Sequence, residues 1–178
     1  ISVSSPDGRL NVKVFVEEGK PMYSVVYRNK PMLDSSPLGV ITNEGDFSMN
    51  MKFVEKSEGK VDKKYTQDKI KQAQVHYKAN TLRCTFQDTK ERQLSVLFHV
   101  SNNDVAFRYE LPAWGDRRAC VVEKEATGFR FPTVTTAFVS YMMEPMGFFA
   151  RTSPSYGSGY QTDVPMAETT SGTGYVFP

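Results

Sequence analysis

The stretch from Leu94 to Pro112 constrains the fold of this chain more than any other. Leu94, Val96, Phe98 and Val100 share one parity, and Val105, Phe107 and Tyr109 share another. Side chains on a strand alternate between its two faces, so each set lines one face. Between the sets stands Ser101-Asn102-Asn103-Asp104, built from residue types that tolerate tight turns. The stretch therefore predicts a β-hairpin whose apolar faces turn to a core. His99 falls out of phase with Phe98 and is expected on the polar face.

The same alternation runs through most of the chain. Ser5-Pro6-Asp7-Gly8 is a turn sequence, and Leu10, Val12, Val14 and Val16 follow in strict alternation. Glu17 to Lys20 turns the chain into Met22 to Tyr27, and Arg28-Asn29-Lys30 turns it again into Pro31-Met32-Leu33. Short strands joined by tight turns predict an antiparallel meander. Pro31 has no backbone N–H and belongs at a strand start or edge. Ser35 to Gly39 is a break before Val40-Ile41, and Phe47, Met49, Met51 and Phe53 alternate.

Residues 60–71 hold five lysines together with Asp62 and Asp68. A solvated loop or edge strand is the ordinary explanation, and a basic binding patch is the alternative. Ala73, Val75 and Tyr77 predict a strand closed by a turn at Ala79-Asn80, with Leu82, Cys84 and Phe86 on the next. Beyond Pro112, the runs Cys120 to Phe131 and Val134 to Tyr141 read as further strands. The sum is all-β, about ten short strands at the spacing of a two-sheet sandwich.

From Met142 the chain changes in kind. Gly, Ser, Thr, Pro and Tyr dominate Gly147 to Gly174, with Phe148, Phe149, Tyr156 and Tyr160 interleaved. A long irregular segment within a compact domain is functional, packed as an Ω-loop, or disordered, and the aromatics argue against disorder. Tyr175-Val176-Phe177-Pro178 has the apolar content of a strand being entered, so the domain is expected to continue past Pro178.

Composition excludes several classes. With 22 basic and 20 acidic residues the net charge is +2, and nothing global points to nucleic acid. No apolar run approaches the roughly 20 residues of a membrane-spanning helix, so no membrane is expected among the partners. His76 and His99 stand apart from Cys84 and Cys120, which leaves no structural zinc spacing. The two cysteines either pair in one bridge in an oxidising compartment or serve as small buried hydrophobes.

Asn103-Asp104-Val105-Ala106-Phe107-Arg108-Tyr109 resembles a motif in the N-terminal domain of glycoside hydrolase family 97. Other similarities to that family follow in order along the chain. They are Ser5-Pro6-Asp7-Gly8, Tyr23-Ser24-Val25 with Tyr27, Leu38-Gly39, Phe131-Pro132, Ala150-Arg151 with Pro154-Ser155-Tyr156, Tyr160 with Asp163-Val164-Pro165, and Gly174 to Pro178. The resemblance implies an antiparallel β-super-sandwich of the galactose-mutarotase-like kind, with residues 1–178 as its partial N-terminal domain. It implies a parent α-glycosidase of exo-acting type, an α-glucosidase or α-galactosidase, whose (β/α)8 barrel is the partner of this domain. It further implies α-linked oligosaccharides as substrates, calcium in the parent enzyme, and a periplasmic or secreted location.

Glycoside hydrolysis needs a protonated carboxyl group and a second carboxylate, roughly 5–5.5 Å apart in retaining enzymes and 6.5–9.5 Å in inverting ones. Nothing in the sequence pairs two of its acidic residues across a pocket, and in the family these groups lie on the barrel. No catalytic residue and no metal ligand is therefore assigned to this chain. Relatives tend to carry glutamates just after the tyrosine matching Tyr156, where this chain has Gly157-Ser158-Gly159. Hard cations favour several carboxylate oxygens, so a ligand from that segment is not expected, although Asp163 and Glu168 lie nearby.

Four residues are carried as substrate-binding or interdomain candidates: Arg151, Tyr156, Tyr160 and Asp163. Tyrosine rings stack on the C–H faces of sugars, and they equally suit packing against the barrel. Arg151 suits a bidentate carboxylate contact across that interface. Trp114 is either at a loop tip touching sugar or packed in the core. The competing functions are an independent carbohydrate-binding module and a purely structural one.

Overall fold

The computed structural model describes residues 1–69, 71, 73–113, 115–116, 119–141, 160–168 and 175–176. The chain divides into two compact units, Ile1–Arg130 and Phe131–Pro178.

The first unit is a sandwich of two antiparallel four-stranded sheets. One sheet contains β1 (Ser2–Ser4), β2 (Leu10–Glu17), β3 (Lys20–Tyr27) and β4 (Lys30–Pro37) in that order. Its two hairpin turns, Glu18-Gly19 and Arg28-Asn29, have positive φ at both central residues. That mirror-image turn matches the right-handed twist of the flanking strands, so the meander closes with two-residue loops. Three further short strands make a small sheet at its side: β5 (Val40–Thr42), β6 (Gly45–Asp46) and, later in the chain, β11 (Val122–Glu125).

The other main sheet is built from β7 (Lys52–Thr66), β8 (Gln74–Gln87), β9 (Gln93–Val100) and β10 (Val105–Glu110), with spatial order β10-β9-β8-β7. The expected hairpin is β9–β10, with Phe107 opposite Phe98 and Tyr109 opposite Val96. Its turn is tied by the Ser101 hydroxyl, which donates to Asp104 Oδ2 at 2.5 Å and accepts the N–H groups of Asn103 and Asp104. Leu82, Cys84, Phe86, Leu94, Val96 and Phe98 project from this sheet against Val12, Val14, Tyr23 and Val25 of the other, all buried. His99 lies on the opposite face from Phe98, its ring stacked on Tyr77 at 6.5 Å.

One detail differs from the sequence reading. No turn exists at Ala79-Asn80: β8 runs unbroken through it, Ala79 is buried, and Asn80 donates from its side chain to the Ser4 carbonyl at 2.8 Å. Asn is a turn former because its amide satisfies backbone groups, and here it satisfies one on another strand. Residues 60–66 belong to the edge strand β7, which is exposed along nearly its whole length. Cys84 and Cys120 are both free thiols, and burial pushes the Cys84 thiol up to about 11, which leaves it an inert core residue.

The turn Ser5 to Gly8 is a hydrogen-bonded knot. Ser5 donates its hydroxyl to Asp7 Oδ1 at 2.6 Å, Arg9 donates its N–H to the same oxygen, and the Arg9 guanidinium holds Oδ2. The Asp7 N–H in turn donates to Asn102 Oδ1 at 3.1 Å, joining this turn to the β9–β10 turn. The Ser5 hydroxyl, then Arg9, lower the Asp7 carboxyl to about 2. Hydrogen bonding by His76 lowers Asp62. At Asp88 and Glu110 burial pulls upward but is outweighed, by hydrogen bonds from Arg92 and Lys90 at Asp88 and from Arg108 and Arg83 at Glu110. A carboxyl group depressed in the folded state stabilises it above the unfolded value, about 4, and that contribution is lost as pH falls through the folded one. Thermal melts should therefore hold a constant midpoint from pH 7 to about 5 and lose it progressively from about pH 4 to 2. A midpoint unchanged at pH 2 would contradict this.

Among its described residues the second unit contains β12 (Thr136–Tyr141), β13 (Gln161–Pro165) and β14 (Tyr175–Val176), with β12 central, and a 3₁₀ turn at Met166–Glu168.

Candidate functional site

Of the four candidate residues, Asp163 lies in the β12–β13 ladder of the second unit and Tyr160 immediately precedes β13, while Arg151 and Tyr156 lie outside the described residues, as does Trp114. The ladder runs from Thr136 opposite Pro165 and Ala137 opposite Val164 to Val139 opposite Gln161. Two steps along β12 thus match three along β13, which makes a β-bulge with one extra residue on β13. Asp163 sits at the bulge with φ of 57°. Aspartate reaches that left-handed region more readily than other non-glycine residues, so this position has a structural reason for its residue type. Its Oδ1 accepts the Thr136 hydroxyl at 3.5 Å.

The bulge also decides what Tyr160 touches. Continuing the register places Tyr160 opposite Ser140, on the same face of the ladder as Phe138. The two rings stack with centroids 5.1 Å apart and planes 25° from parallel. Both remain about half exposed, Phe138 at 52% and Tyr160 at 56%. A diagonal cross-strand aromatic pair of this kind stabilises a narrow ladder and leaves an apolar surface able to meet a sugar's C–H face or another protein surface. Phe138 was not singled out in the sequence, because the period of two shows a strand there but not which of its faces stays open.

Asp7, Asp62, Asp88 and Glu110 act as charge partners, Asp7 to Arg9. Asp88 is buried at 6% side-chain exposure and receives the Lys90 and Arg92 N–H groups at 2.8 and 2.9 Å, with the Arg92 guanidinium on Oδ2. Glu110 is held between Arg83 and Arg108, and Asp62 between His76 and Lys78. A general acid needs its pKa raised toward neutrality. These four carboxylates are displaced the other way and stay ionised. The first unit has a depression of about 500 Å³ beside Tyr65 and His76 and one of about 450 Å³ beside Val14 and Phe53, and among the described residues no carboxylate lines either. Among the described residues no three Asp, Glu, His or Cys side chains come together as a metal site, so Asp163 and Glu168 by themselves do not fit a calcium ion.

The sequence profile described as glycosyl-hydrolase 97 N-terminal matches residues 3–178. The chain belongs to the glycosyl-hydrolase 97 N-terminal family. Its sandwich is similar to a solved β-arabinopyranosidase, at 46% identity and a TM-score of 0.89 over 100% of this chain and 29% of that one. It is also similar to a glycoside hydrolase family 97 enzyme of Pseudoalteromonas sp. strain K8, solved with panose and with acarbose. There the identity is 25% and the TM-score 0.71, over 80% of this chain and 22% of that one. No curated protein matches. The chain thus spans less than a third of the length of these family 97 relatives.

Several stretches that carried the family resemblance have structural work in the first unit. The Tyr109 hydroxyl accepts the Gly39 N–H at 2.8 Å and lies 2.6 Å from Thr127 Oγ1. Tyr23 donates its hydroxyl to the Gly128 carbonyl at 3.2 Å. These bonds strap residues 126–130 along β4, where Gly128 and Arg130 also donate to Pro37 and Ser36.

Proposed function

We propose that this domain serves an exo-acting glycoside hydrolase that cleaves galacto-configured α-glycosides or the corresponding β-arabinopyranosides, and that it supports a catalytic (β/α)8 barrel. The 46% identity to a β-arabinopyranosidase over the whole chain, against 25% to the enzyme solved with panose, carries this reading. A β-L-arabinopyranose ring has the ring configuration of α-D-galactopyranose and lacks only the exocyclic CH2OH. One pocket can accept both, whereas α-D-glucopyranose inverts the hydroxyl at C4. A site built to hydrogen-bond an axial hydroxyl discriminates strongly when that partner is lost. The α-glucoside reading keeps a specific support in the panose complex of the more distant relative, panose being an α-linked glucose trisaccharide.

The same proposal includes calcium held by groups of the whole enzyme, and location in the periplasm or outside the cell. The Phe138–Tyr160 pair then serves the domain as apolar surface toward the barrel or the sugar.

The full-length protein should turn over nitrophenyl α-D-galactopyranoside or β-L-arabinopyranoside with kcat/KM at least about 100-fold above the α-D-glucopyranoside. An α-glucoside rate equal to the best of the others would overturn the galacto reading. No turnover of any of the three would overturn the glycosidase reading itself. The 178-residue chain alone should hydrolyse none of them.

A further inference from the structure

Strand β7 is the outer strand of its sheet, and from Glu55 to Lys63 its backbone pairs only with β8 among the described residues. Among the described residues its opposite edge is an open row of N–H and C=O groups, a template for another strand. We propose that this edge pairs antiparallel with the β7 edge of a second copy of the chain, across a two-fold axis at Gly59, joining two four-stranded sheets into one. This proposal does not depend on which glycoside the enzyme cleaves.

The charge pattern singles out the partner. Reading Lys56, Glu58, Lys60 and Asp62 along one face gives plus, minus, plus, minus, and the reversed order gives the complement. Around Gly59, Glu58 of one copy faces Lys60 of the other, Lys56 faces Asp62, and on the opposite face Glu55 faces Lys63. Every charged residue between 55 and 63 meets its opposite, and symmetry makes each pair twice. Directly opposed residues in an antiparallel pair share a face, so the axis stands perpendicular to the sheet, as an isologous interface requires.

Neighbouring registers are repelled. Sliding by one residue puts Glu55 opposite Asp62, or Lys56 opposite Lys63. Moving the axis to Glu58 opposes Lys56 with Lys60, and moving it to Lys60 opposes Glu58 with Asp62. Like charges directly opposite destabilise a pair, so the pattern selects a register instead of merely deterring aggregation. Axes at Ser57 and at Val61 avoid repulsion but oppose fewer charges. The stripe is also ordered within the chain: Lys56 holds Glu58 at 2.7 Å, and Asp62 is held by His76 at 2.5 Å, while Lys56, Glu58 and Asp62 each stay more than half exposed. Gly59 presents no side chain where the two backbones meet at the axis.

Sedimentation equilibrium of the full-length protein should show a dimer. Glu55→Lys or Lys63→Glu alone should raise the dimer Kd at least about fivefold, and the two combined should restore it. In a Cys120→Ser background, Gly59→Cys should cross-link to its own copy on oxidation, because opposed Cα atoms about 4.5–5.5 Å apart suit a disulfide. Val61→Cys should not. If Gly59→Cys fails to fold, the double variant Ser57→Cys/Val61→Cys reads the same register through residues that oppose one another. A monomer at 100 µM (roughly the weak end of specific association), a dimer indifferent to both charge reversals, or cross-linking through Val61→Cys instead would overturn the proposal.

Discussion

Phe98→Ala should lower the stability of the first unit by about 3–5 kcal/mol, read as a shift of the urea midpoint followed by circular dichroism. Phe98 has no exposed surface and stands in the middle of the β8–β9–β10 ladder, opposite Leu82 and Phe107. Its ring meets Tyr23 of the facing sheet at 6.0 Å and Phe107 at 5.3 Å, so truncation opens a cavity that both sheets border. Close-packed interiors collapse only partly around such a gap. The loss is a large fraction of the stability of an ordinary domain, about 5–15 kcal/mol. Phe98→Leu should lose less than half as much, and a loss below about 1 kcal/mol for Phe98→Ala would contradict this packing.

Among the described glycines, Gly39→Val should be the most damaging single change, at more than about 3 kcal/mol. Gly39 has φ of 142°, and a Cβ there would lie 2.6 Å from Ser48 Cα, 2.8 Å from Ser48 Cβ and 2.9 Å from the Phe47 carbonyl oxygen. Its N–H donates to the Tyr109 hydroxyl and its carbonyl accepts the Ala126 N–H at 2.9 Å, so the backbone cannot retreat without breaking the strap over β4. Gly8 is the control. It has φ of 74° but open space around it, so Gly8→Ala should carry only the backbone strain, about 1 kcal/mol. Equal losses at the two positions would mean that the contact with Ser48 and Phe47 does not decide the effect.

The candidate site was less legible than the fold. Tyr160 and Asp163 were named as residue types in an aromatic, polar tail, yet their roles depend on a bulge that shifts the register of β13 by one residue. Counting with a period of two carries no sign of such a shift. Phe138 entered only through that register. Ala79-Asn80 shows the complementary error, in which a turn-forming residue type is held in a continuous strand because its amide finds a backbone carbonyl on β1.

Fold class, the β9–β10 hairpin and the family are all legible in the residues alone. Alternation along Leu94 to Tyr109 is a local property that allows one pairing with the apolar sides together. The ordered motifs at Ser5 to Gly8, Leu38-Gly39 and Asn103 to Tyr109 also survive as sequence, because turns, caps and the Gly39 approach admit few residues. Tertiary packing sets which strand edge stays open among the described residues, which ring stacks on Tyr160, and the tie from Asp7 to Asn102 across 95 positions of chain. Those are contacts between residues far apart in sequence. The free energy that selects them comes from packing two sheets together, and no local pattern records it.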